Sequence, residues 1–184
     1  MGYPDIAHKA PKVYRASRMK RTTIGPDDAD DLISLVAACS PENRALRFHT
    51  GIAELRPAMA HQLADIDPQD GVALGLRTRR GTLIADARYT RIAPGVAEAA
   101  VLVADRYHRR GLGEALLARV FQQAADDGIE SIHAFVLPSN EAALHLMAKL
   151  APVHDVGYSD GAREICMPLT SAGCPACEPV ALSA

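Results

Sequence analysis

The chain has 184 residues, 48% of them hydrophobic, which is enough for one buried core and short for two domains of ordinary size. Its 20 Lys and Arg against 22 Asp and Glu leave a formal charge of −2, so no global basic field draws it to nucleic acid, and 4% aromatic content leaves few stacking platforms for single strands. No apolar run approaches the roughly 20 residues that span a bilayer, and MGYPDIAHKAPKVYR carries charges and prolines where a secretory signal has its apolar centre, so no membrane partner and a cytoplasmic location are expected.

Taken in chain order, residues 1–20 form a basic arm expected to be flexible. Up to Arg21 there are six Lys or Arg against one acid, Asp5, and little apolar pattern. The segment GPDDADDLISLVAAC opens with Pro26 and aspartates at the positive end of a helix dipole, and Leu32, Ile33, Val36 and Ala37 follow at helical spacing. SPENRALRFHT reads as a connecting segment. IAELRPAMAHQLADID reads as a second helical region disturbed by Pro57.

The pattern then changes to strands. GVALGLRT, a turn at RRG and GTLIADARYTRI read as a hairpin, and EAAVLVA follows APGVA as a third strand. LGEALLARVFQQAADD places Leu116, Leu117, Val120, Phe121 and Ala124 on one helical stripe that Gly128 ends. SIHAFVL is a buried strand, and SNEAALHLMAKL is a helix capped by Ser139 or Asn140. VHDVGYSD and REICMPL close the domain as strands. The order βααβββαβαββ predicts an α+β fold over residues 21–170: a mixed, mostly antiparallel central sheet with helices on both faces and one βαβ crossover.

Four cysteines, Cys39, Cys166, Cys174 and Cys177, are too few and too irregular for a disulfide framework, and reduced thiols are expected. Cys174 and Cys177 form CPAC inside residues 171–184, a tail expected to be disordered; a metal site there would need two more ligands from elsewhere, and no strand-turn-helix pattern surrounds the pair to support redox chemistry.

The stretch DRYHRRGLGEAL carries the most chemistry. A strand that ends in a glycine turn and opens a helix gathers free N–H groups and the positive end of the dipole, and so suits an anion. Two cradles fail on spacing. A P-loop needs Lys and Ser or Thr after its last glycine, where Glu114 and Ala115 stand. A dinucleotide fingerprint needs Gly or Ala at Leu116 and an acid after the next strand, where Val136, Leu137 and Pro138 stand.

HRRGLG closely resembles the third, the acyl-CoA pyrophosphate loop of the GNAT acetyltransferases: Gln or Arg, two residues, Gly, one residue, then Gly or Ala. AEAAVLVAD, the crossover LGEALLARVFQQAADDGIESIHAFVL and the helix NEAALHLMAKL follow in GNAT order, so the resemblance covers roughly residues 20–170. SPENRALRF, AEAAVLVAD and NEAALHLMAKL look most like the bacterial protein lysine acetyltransferases. The resemblance implies acetyl-CoA as cosubstrate, no metal, and an acceptor that is a protein lysine or a small amine. A homodimer is left open.

By the same resemblance, the backbone of Leu102, Val103 and Ala104 pairs with pantetheine. The amides of Arg109, Arg110, Gly111, Leu112 and Gly113 take the pyrophosphate, and Asn140 lies near the pantetheine or the thioester. His108 departs from the family's Gln or Arg. Glu98 maps onto the catalytic glutamate, and strand alternation groups it with Ala100 and Leu102 on one face. A base is required because a lysine ammonium has a pKa of about 10.4. The tyrosine that many GNAT enzymes use as general acid is replaced by Met147, leaving Tyr107 and Tyr89 as donors to consider. His133 and His145 fall in strand and helix patterns and read as core or surface residues. Arg44, Arg47 and Phe48 lie in the neighbourhood that lines the acceptor side in the family. Alternatives to the protein acetyltransferase are a small-molecule amine acetyltransferase and a non-catalytic acyl-CoA-binding module.

Overall fold

The computed structural model describes residues 19–170. The basic arm up to Arg18 and the CPAC tail lie outside the described residues. Seven strands form one sheet in the order β1-β2-β3-β4-β5-β7-β6, antiparallel throughout except where β4 (Val96–Val103) runs parallel to β5 (Ser131–Val136). The α+β expectation holds, including the single crossover, which α4 (Leu112–Asp126) makes between β4 and β5.

β1 (Met19–Thr23) begins inside the segment expected as an arm and pairs with β2 (Gly71–Thr78). Three helices separate them rather than two: α1 (Ala29–Ala37), α2 (Pro41–Phe48) and α3 (Pro57–Ala64). The segment SPENRALRF, expected as a connection, is α2. Its start is written in the residues: Ser40 caps it by accepting the Asn43 N–H at 3.2 Å, and Pro41 fills the first turn, where a missing N–H costs nothing. None of its residues is fully buried, which is why apolar periodicity does not reveal it. Pro57 likewise opens α3 instead of disturbing it.

β3 (Leu83–Ala93) lies between β2 and β4 in a meander. Gly128, in the left-handed region at φ 77, ends α4 with its N–H on Ala125 O and the Ile129 N–H on Ala124 O. α5 (Glu141–Leu150) precedes the β6 (His154–Ser159) and β7 (Ala162–Pro168) hairpin.

Two cores sandwich the sheet. One face packs Leu116, Leu117, Val120 and Phe121 of α4 and Met147 of α5 against Ala85, Ala87, Ala97 and Ile132. The other packs Leu32, Leu35 and Val36 of α1 and Ala60 and Ala64 of α3 against Ala73, Leu102 and Ala104. Cys39 is a buried free thiol, whereas Cys166 is disulfide-bonded, which the expectation of reduced thiols did not include.

Candidate active site

β4 and β5 pair at three positions only, Val96 with Ser131, Ala97 with Ile132 and Glu98 with His133, although β4 runs on to Val103. Beyond Glu98 the two strands part. Which peptide groups line the gap follows from the ladder on the other side. The Ala104 N–H donates to Ile84 O at 3.0 Å, and antiparallel alternation then turns the peptide groups of Leu102, Ala100 and Glu98 toward β3 as well. The Ser131 N–H reaches Gly95 O at 3.1 Å, so the odd-numbered groups face β5. The Ala99 carbonyl, Val101 and Val103 therefore present an open edge, the Ala99 N–H being the last to pair with β5. Of the three residues expected to pair with pantetheine, only Val103 has this orientation; Leu102 and Ala104 turn their peptide groups to β3. Sequence reasoning misses Val101, because the apolar run gives the strand but not which parity meets the gap.

The Val103 carbonyl is already filled. Asn43 Nδ2 donates to it at 2.9 Å and His108 Nε2 at 2.7 Å, which accounts for both lone pairs and leaves the Val103 N–H free. A carbonyl only accepts, so Nε2 carries the ring hydrogen in this contact. His108, the departure from the family pattern, thus anchors the turn to the end of β4.

Asp105 completes the arrangement. Its carboxylate takes the Ser40 N–H and the Ser40 hydroxyl, each at 2.8 Å, and Asn43 Nδ2 at 3.2 Å, tying the start of α2 to the end of β4. Partial burial pushes the Asp105 carboxyl up, but the bonds from Ser40 and Asn43 outweigh it and hold the carboxyl below its ordinary value.

The glycine turn follows. Arg109 at φ 56 and Gly111 at φ 72 are both left-handed; this is free for the glycine and costs the arginine on the order of 1–2 kcal/mol. The N–H groups of Arg109, Arg110, Gly111, Leu112 and Gly113 have no acceptor among the described residues, and they gather at the N-terminus of a 15-residue helix. A Cβ on Gly113 would lie 3.4 Å from Val103 Cγ2 and 3.7 Å from Leu146 Cδ2, so glycine lets α4 start close against the open strand. The Arg109 and Arg110 side chains are exposed, and the Arg110 guanidinium lies over the Tyr107 ring at 5.3 Å. Asn140 caps α5, its Oδ1 accepting the Ala143 N–H at 3.1 Å.

Glu98 is exposed on the face that carries Leu102, α1 and α3. Below it lies a buried ion pair: Arg88 Nη2 donates to Asp86 Oδ2 at 2.8 Å, while Asp86 Oδ1 has no partner. Arg47 of α2 reaches toward this cluster. Burial pulls its guanidinium below the ordinary value, opposed by the Asp86 carboxylate, reinforced by Arg88 and opposed again by Glu98. Tyr89 is no donor here, since it is buried in the opposite core with its hydroxyl on Asp127. Met147, also in that core, offers no acid. Among the described residues no group of three His, Cys, Asp or Glu could hold a metal, and no helix is long and apolar enough to cross a membrane.

A strand edge left open in mid-sheet and leading into a helix N-terminus with free amides suits an extended, amide-bearing chain that ends in an anion. The chain belongs to the acetyltransferase (GNAT) family, whose model matches residues 35–151. An acetyltransferase of Pseudomonas aeruginosa is 30% identical over 115 residues, covering 60% of this chain and 62% of that protein, so the match spans less than two thirds of the relative. The GNAT domain of S. lividans PAT superposes with a TM-score of 0.75 at 29% identity, over 82% of this chain and 90% of that one. A phosphinothricin acetyltransferase from Sinorhizobium meliloti, solved with AcCoA, shares the fold at a TM-score of 0.65 and 14% identity, over 86% and 93% of the two chains.

Proposed function

We propose that the protein is an acetyl-CoA-dependent N-acetyltransferase that moves an acetyl group to a primary amine by direct transfer in a ternary complex, within a domain of residues 21–170. The observation that carries this reading is the parting of β4 from β5 after the Glu98–His133 pair, which leaves the Val101 and Val103 edge running toward the free amides of Arg109 to Gly113. Acetyl-CoA supplies an activated acyl thioester. Residues of this chain do the rest: the open edge aligns pantetheine, the turn holds the pyrophosphate, and Asn140 keeps an amide available beside the gap.

Glu98 is the general base. It stands at the mouth of the gap with its carboxylate exposed, where an incoming ammonium can meet it. A protein lysine is the preferred acceptor. The resemblance of SPENRALRF, AEAAVLVAD and NEAALHLMAKL to the bacterial protein lysine acetyltransferases and the exposure of Glu98 support that choice. The fold shared with the phosphinothricin enzyme favours a small amine as the second reading.

Glu98→Gln is expected to keep acetyl-CoA affinity and lose about 100-fold in turnover at neutral pH, measured by steady-state kinetics. Unchanged turnover removes Glu98 from the mechanism. Polyamines, aminoglycosides and amino acids assayed beside a proteome-wide acetyl-lysine comparison separate the two acceptor classes.

A further inference from the structure

Asn43 and Arg47 stand four positions apart on α2, so their side chains leave the same face of the helix one turn from each other. Asn43 fixes that face against the sheet, its Nδ2 donating to Val103 O at the end of β4 at 2.9 Å. Arg47 therefore extends over β4, and its guanidinium comes within electrostatic reach of Asp86, Arg88 and Glu98. Register pairs Asp86 with Leu102 and Arg88 with Ala100, which puts both on the Glu98 face.

The other arginines on this side are spent. Arg88 places Nε and Nη2 on Asp86 Oδ2 at 3.1 and 2.8 Å, and Nη1 on Leu63 O. Arg77 is held by Asp28 and Asp31, and Arg44 gives Nη1 to Ala53 O. Arg47 differs from these: it makes neither a hydrogen bond nor an ion pair among the described residues. It is half-buried, with its guanidinium carbon 4.9 Å from the centre of the Phe48 ring. Stacking on an aromatic face orients the guanidinium and leaves its edge N–H donors unused. Asp86 Oδ1 also lacks a partner, in a residue only 3% exposed, so its charge favours the guanidinium without occupying those donors. Removing such a cation from water without an acceptor is costly, and a ligand that brings one recovers the loss.

Asp86 and Arg88 neutralise each other, which leaves Glu98 and Arg47 as the charges of this cluster without a partner. We propose that Arg47 determines acceptor specificity by binding a carboxylate that lies a few bonds from the reacting amine. The acceptor is then bipolar like the site, with its amine toward Glu98 and its carboxylate on the guanidinium fork, whose paired donors match both oxygens. Such a carboxylate belongs to an acidic residue beside a protein lysine or to an amino acid. This rests on β4 being the acyl-CoA strand and does not require Glu98 to be the base.

The test uses the full chain and conjugates in which an acetyl bridge joins the CoA sulfur to the acceptor nitrogen, so that affinity is read without turnover. One pair carries the lysine of Glu-Lys-Glu or Gln-Lys-Gln, capped at both ends; the other carries glycine or glycinamide. In titration calorimetry the carboxylate member of at least one pair is expected to bind about tenfold tighter, and Arg47→Gln to abolish that preference. Arg47→Lys keeps the charge and loses the fork, so it should retain part of the preference. A preference confined to the tripeptides assigns the acidic flank of a protein lysine, and one confined to the glycine pair assigns a free amino acid. Equal affinities within both pairs, or a preference that survives Arg47→Gln, overturns the proposal. Should Arg47→Gln fail to fold, Arg47→Lys decides, and an undiminished preference there overturns it. Loss of all CoA binding is a different outcome: it removes the acyl-CoA reading and this inference with it.

Discussion

Asp105 shows how one residue couples the two sides of the site. Its carboxylate holds Ser40 and Asn43 at the start of α2, and Asn43 in turn shares the Val103 carbonyl with His108. A carboxyl held below its ordinary value adds stability that is fully present above the unfolded value, about 3.9, and is lost as pH falls through the folded value. Asp105→Asn is therefore expected to lower the melting temperature at pH 7, with the gap to the parent closing as the pH falls below about 4. A gap that persists unchanged into acid would mean that the carboxylate charge contributes nothing. Asp105 is also a residue that sequence reasoning passes over, because its partners are 62 and 65 positions away.

At the scale of elements, the start of α4 depends on the absence of a side chain at Gly113. The Cβ alone would touch Val103 and Leu146 at ordinary distance, but a branched side chain would have to enter the space between α4 and the open edge of β4. Gly113→Val is expected to cost about 1–3 kcal/mol in a melt and to abolish acetyl-CoA binding. Gly111→Ala meets nothing within 4 Å, and only its positive φ resists, so about 1 kcal/mol of stability is its whole expected effect on the fold. Binding that survives Gly113→Val would move the pyrophosphate site elsewhere.

Elements with strong periodicity were legible from the residues: the β2–β3–β4 meander, α4 with its terminating Gly128, and α5 with Asn140 as its cap all stand where the pattern puts them. α2 was not, because a short, half-exposed helix carries its signal in Ser40 and Pro41 rather than in an apolar stripe. The parity of β4 was not legible either. Alternation groups Glu98 with Leu102 correctly, but whether even or odd peptide groups face the gap depends on how β3 pairs, and that is set by residues on another strand. That Arg47 is left without an ion pair was not legible, because it depends on Arg88 of β3 taking Asp86.

For the molecule as a whole, one sheet serves two purposes. β1 to β4 form a continuous antiparallel half, β5 to β7 a second, and the halves join only along Val96 to Glu98. Helices on both faces bury the sheet, so the seam can stay open without exposing either core. The account stands on that seam being the acyl-CoA site. Calorimetric titration of the protein with acetyl-CoA, with CoA and NADPH as comparisons, tests it most directly. Saturable micromolar binding of acetyl-CoA and CoA, absent for NADPH and lost in Gly113→Val, is the predicted result; a folded protein that binds neither CoA species would contradict it.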